Sequence, residues 1–202
     1  MKILIDNGHG ENTPGKRSPD GKLREYLYAR DIAKAIERDL KLKGYDVEVI
    51  VRETIDVPLD ERARRVNETC GRVGAKNVLL VSIHCNASGS GSEWMNARGW
   101  SAYTSKGKTK ADELATMMYE EAEKNFIGHK IRKDNSDGDP DWEENFYILS
   151  KTKCPAVLTE NFFQDNKEDV DYLNSDEGKQ AIIKTHVDAI IRYVPKYGLS
   201  LI

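Results

Sequence analysis

The chain has 202 residues and a formal net charge of −3, with 39% hydrophobic and 32% charged residues. That is enough apolar material for one core of ordinary size, and the interspersed charges lack the basic face that a nucleic-acid partner would require. No apolar run approaches the length of a membrane span, and Ile3-Leu4-Ile5 is far too short for a secretory leader.

The first predicted element is a strand at 2–6, "KILID", which runs into the turn "NGHG". Residues 11–22 are turn and breaker chemistry throughout and read as a loop. A helix is expected over 24–43, with Ala29, Ile32, Ala33, Ile36 and Leu40 at helical spacing and Gly44 ending it. "DVEVIV" (46–51) is a second strand. A second helix over 58–70 has Pro58 at a first-turn position and a stripe of Leu59, Ala63 and Val66. "NVLLVSIHCNA" (77–87) is almost continuously apolar, as in a strand buried on both faces. A strand at 99–105, a helix at 109–126 and a long loop at 128–145 follow. "FYILS" (146–150) and "AVLTE" (156–160) read as strands separated by Pro155, and a last helix spans 177–194.

Strands that alternate with helices, some of them apolar throughout, indicate an α/β domain with a mostly parallel sheet and helices on both faces. With no linker in view, one domain is expected over 1–202. Cys70, Cys85 and Cys154 are odd in number and far apart, so neither a disulfide framework nor a cysteine zinc site is expected. Cys85 reads as inert core packing.

In open α/β sheets, sites form beyond the carboxyl ends of strands, and His9, His84 and Glu160 share that address. Glu25 falls on the same helical stripe as Ala29, Ile32 and Ile36, where a carboxylate is costly unless it is paired or binds a metal. A first-turn glutamate also suits the helix dipole. His84 shares a strand face with Ser82 and Asn86, and His9 lies between Gly8 and Gly10, which allow a sharp turn. Each histidine alone is compatible with an incidental loop residue. Together His9, Glu25 and His84 make a zinc set that leaves a fourth position for water. Glu160 ends an apolar strand, where burial would raise its pKa toward the range of a general base, although a strand-end glutamate can also be simply exposed.

The stretches "ILIDNGHG", "REYLYARDIAKAIERDL", "ERARRVNE", "VSIHCNA" and "CPAVLTENFFQDNKEDVDYL" resemble, in this order, the zinc-dependent N-acetylmuramoyl-L-alanine amidases of the Amidase_3 family. The resemblance implies a central sheet of about six strands. It also implies one zinc held by His9, Glu25 and His84, with Glu160 as catalytic acid/base. The substrate would be peptidoglycan, cut between N-acetylmuramic acid and L-alanine, at the cell wall or in the periplasm after release or export. Departures from the family's usual pattern are Asn7, Cys85 and Asn161. Three rival readings are a zinc peptidase acting within the stem peptide, an amidase of soluble muropeptides, and a wall-binding module without catalysis.

"DNSDGDPD" (134–141) superficially resembles a calcium loop, but its oxygens and glycine are misplaced and no glutamate closes it. It is expected to be a loop bordering the substrate groove. His129 and His186 are expected to be structural or surface residues; Trp94, Trp100 and Trp142 are read as core or loop packing, with stacking on a sugar as the alternative.

Overall fold

Short β-branched runs and amphipathic stripes alternate along the chain, and the computed structural model, which describes residues 1–197, pairs them into one sheet with helical layers. The elements in order are β1 (Lys2–Asn7), α1 (Glu25–Leu42), β2 (Val47–Val49), α2 (Leu59–Val73) and β3 (Val78–Asn86). There follow β4 (Ser101–Thr104), α3 (Lys110–Asn125), β5 (Trp142–Glu143), α4 (Tyr147–Ser150), β6 (Ala156–Phe163), α5 (Lys167–Asn174) and α6 (Asp176–Tyr197). Residues 198–202 of the expected domain lie outside the described residues.

The six strands run in the order β2-β1-β3-β6-β4-β5. Every pairing is parallel except that of β4 with β6. One face carries Ile3, Ile5, Val81, Ile83 and Val157 against α1, α3 and α6. The other carries Leu4, Leu80 and Leu158 against α2 and α4. A strand alternates its side chains between faces, so a strand that serves two cores must be apolar at every position, as β3 is from Val78 to Val81.

Local chemistry sets the helix starts. Thr109 caps α3 in a box with Asp112, and Asn166 caps α5 by accepting from the Asp169 N–H. Two elements differ from the sequence expectation, and a third, α5, falls where the sequence carried none. "FYILS" is not a strand: Tyr147–Ser150 form the single helical turn α4, which buries Ile148 and Leu149 against the α2 face. A short apolar run does not distinguish strand from helix by periodicity, and here the packing against α2 decides. The expected loop at 128–145 contains the two-residue strand β5, and the polar stretch after residue 166 contains α5.

β6 also continues past the expected end at Glu160. Between His84↔Glu160 and Asn86↔Phe163 it has one residue more than β3, a bulge with Phe162 at φ +62°. Bulges of this kind bend a strand and re-aim its side chains. Phe162 pays for its strained backbone with complete burial against Phe126 and Tyr172.

Candidate metal centre

The carboxyl ends of β1 and β3 and the first turn of α1 bring His9, Glu25 and His84 together. Their donor atoms lie within 4.8 Å of one another. Glu25 Oε1 is 3.4 Å from His9 Nε2 and 3.2 Å from His84 Nδ1, and it accepts the Cys85 N–H at 3.0 Å. The two imidazoles meet edge to face with centroids 5.1 Å apart. Burial works against the Glu25 charge, but hydrogen bonds and the charges of His84 and His9 outweigh it and hold the carboxyl well below the usual range.

His9 itself adopts the left-handed backbone, at φ +59°. Its glycine neighbours supply space rather than turning. A Cβ on Gly8 would lie 2.4 Å from the His84 ring, and one on Gly10 would lie 1.9 Å from the Asp56 nitrogen. The sharp turn expected at the glycines is thus made by His9.

Glu160 is the register partner of His84 on the neighbouring strand. Paired residues share a face, so the carboxyl lies beside the imidazole on the α2/α4 side. Its Oε2 is buried and accepts no hydrogen bond within the protein. Burial, opposed by His84 and reinforced by the Glu25 charge, pushes its pKa up to about 7. A carboxyl so placed exchanges a proton near neutrality.

Three supporting residues were not recognised as such from sequence. Gln164 Nε2 donates to Glu25 Oε2 at 2.8 Å and so orients the carboxylate. Asn161 Nδ2 donates to the His84 carbonyl, while its Oδ1 accepts the Trp100 indole N–H. Arg62, 2% exposed, donates to the Asp6 carboxylate, to the Asn7, His9 and Val57 carbonyls, and to Asp56. Asp6 also accepts from Ser82. Arg62 thereby holds the backbone on which His9 turns.

Ile148 of α4, Val57, Pro58 and Leu59 line a cavity beside His9 and His84. The remaining histidines lie elsewhere. His186 is fully buried, between the Ile182 carbonyl on Nδ1 and Thr159 on Nε2, and burial lowers its pKa to about 4. His129 stacks on Tyr172 at 3.6 Å. Trp100 is core, whereas Trp142 and the more exposed Trp94 lie beside Arg132 and Lys167.

The Amidase_3 family, described as N-acetylmuramoyl-L-alanine amidase, matches residues 3–192. The chain is 33% identical over 195 residues to the N-acetylmuramoyl-L-alanine amidase CwlM of Bacillus licheniformis, covering 95% of this chain and 68% of that protein. It is 31% identical over 193 residues to the endolysin of Bacillus phage SPP1, covering 93% of this chain and 64% of the endolysin. The chain thus spans about two thirds of the length of these relatives. Among solved structures, an N-acetylmuramoyl-L-alanine amidase from Clostridium difficile 630 superposes with a TM-score of 0.80 at 25% identity, covering 98% of both chains. The matched residues include His9, Glu25, His84 and Glu160, the superposition covers nearly the whole chain, and the chain belongs to the N-acetylmuramoyl-L-alanine amidase family Amidase_3.

Proposed function

We propose that this chain is a zinc-dependent amidase catalytic domain that hydrolyses the amide between N-acetylmuramic acid and L-alanine in peptidoglycan. The observation that carries the reading is the convergence of His9 Nε2, Glu25 Oε1 and His84 Nδ1, with Glu160 in register beside His84. The family and the names of its relatives support the substrate. Zinc suits this donor set of two imidazole nitrogens and one carboxylate oxygen. Glu25 is 1% exposed, and its ion-pair partners among the described residues are the two histidines, so a bound cation would compensate its charge.

When bound there, zinc would supply a Lewis acid for the scissile carbonyl and an acidified water. The protein's own groups do the rest. Glu25 offsets part of the metal charge, and Gln164 keeps its carboxylate from rotating. Asn161 and Arg62 hold the backbones of His84 and His9. Glu160 takes the proton of the attacking water and delivers it to the L-alanine nitrogen as the C–N bond breaks. The expected place of action is the cell wall or periplasm.

Digestion of purified cell wall tests this. New L-alanine amino termini are expected, and chelation is expected to stop their release. Glu160→Gln should keep its metal and lose about 100-fold or more in rate. A fully active Glu160→Gln would remove the assigned role, and termini other than L-alanine would replace the amidase with a peptidase. Small muropeptides assayed beside polymeric wall identify the preferred substrate.

A further inference from the structure

A second groove flanks the start of α1. Glu11, Lys16, Arg17, Arg24 and Tyr26 line it from the connection between β1 and α1, and Ser90, Gly91 and Ser92 face them from the segment after β3. The two walls touch backbone to backbone. A Cβ on Gly91 would lie 2.6 Å from the Gly15 carbonyl oxygen, and both glycines occupy the left-handed region, at φ +84° and +73°. The groove is therefore bounded by a close contact that only small residues permit.

Its charge is one-sided. Three cations and one carboxylate line it, in a chain whose net charge is −3. Arginines elsewhere, such as Arg62, Arg64 and Arg65, pair with carboxylates. Among the described residues, Lys16, Arg17 and Arg24 have no carboxylate within 4.0 Å. Moreover, Arg17 and Arg24 oppose each other in an isolated antiparallel bridge. Like charges directly opposed in this way repel, and an anion between them reverses the sign of the interaction.

We propose that this groove binds a carboxylate of the stem peptide, on the residue that follows L-alanine, through Arg17 and Arg24. The assignment rests on the amidase reading above. The Glu25 N–H donates to the carbonyl of Lys16 in the groove wall at 3.0 Å, so the groove begins beside the candidate metal centre. An extended peptide advances about 3.3 Å per residue, which brings the residue next to the scissile amide into a groove so placed. This favours a peptide carboxylate over the phosphate of another wall polymer, which has no fixed relation to the scissile bond. Guanidinium groups match a carboxylate with paired N–H donors. A carboxamide presents donors of its own and leaves the cations uncompensated.

Muramoyl tripeptides that differ only in the second residue, D-glutamate or its α-carboxamide D-isoglutamine, provide the test. The zinc-loaded protein should favour the carboxylate substrate in kcat/KM by about tenfold. Arg17→Gln combined with Arg24→Gln should bring that ratio near one, and added salt should reduce it in the unaltered protein. Equal cleavage of both substrates by the unaltered protein overturns the assignment, as does a double variant that keeps the original ratio. A variant effect seen only on phosphate-bearing wall, and absent on the tripeptides, gives the groove to a polyanion and overturns it as well. If the unaltered protein cleaves neither tripeptide nor wall, the amidase reading itself fails, and the carboxylate assignment fails with it.

Discussion

Gly8, whose N–H donates to the Ile83 carbonyl at 2.9 Å, also packs against the ring of His84. Gly8→Ala would place a methyl group 2.4 Å from that imidazole, which must then move off the Glu25 oxygen. Metal affinity should fall by at least about tenfold, as for other residues that orient ligands. A competitive chelator titration measures it, and an unchanged affinity would show that His84 does not need its present position. His9, Glu25, His84 and Glu160 were legible in the sequence because strand ends and one helical stripe address them all to the same edge. Gln164 and Asn161 were not, because their positions depend on the bulge in β6, and no alternation of apolar residues announces an extra residue.

Helix α2 contributes Arg62 to the interior, and with it the balance of charge beneath the site. Arg62→Met would leave Asp6, 1% exposed, with Ser82 as its remaining side-chain partner. Removing one member of a buried pair should destabilise the fold by about 3–5 kcal/mol, read from the urea midpoint. A loss within about 0.5 kcal/mol, the range of an ordinary surface substitution, would contradict the role. A sequence signal did exist, since Arg62 lies on the helical stripe with Val66, Thr69 and Cys70, all buried. The same argument had singled out Glu25, but three arginines in "ERARR" obscured which one turns inward. Helix α4 was missed for a different reason. Its four residues cover barely one 3.6-residue turn, too few to repeat an amphipathic pattern, and part of its packing is with α2, far away in sequence, as in the bond from Asn67 to the Lys151 carbonyl.

At the scale of the molecule, the mostly parallel character of the sheet followed from the alternation of strands and helices, whereas the edge beyond β6 did not. There β4 runs antiparallel to β6, and Asp141 is buried before the short strand β5. Its carboxyl accepts from Thr104 Oγ1 at 2.7 Å, and burial, reinforced by Asp139, pushes its pKa from 3.8 up to about 8. Between those values the unfolded chain has released a proton that the folded chain still holds. Stability is therefore expected to fall as pH rises through this window. Asp141→Asn should flatten that slope, as followed by thermal unfolding from about pH 5 to pH 8. A variant with the original slope would place the titrating group elsewhere.

The strand that completes the sheet is the last one made, yet it lies between β3 and β4 rather than at an edge. A nascent chain halted before Ala156 has an open seam along β3 and possesses neither Glu160 nor the Asn161 and Gln164 that steady the two ligands. Synthesis therefore closes the sheet and completes the candidate centre in the same step, so that a truncation anywhere ahead of β6 loses both together.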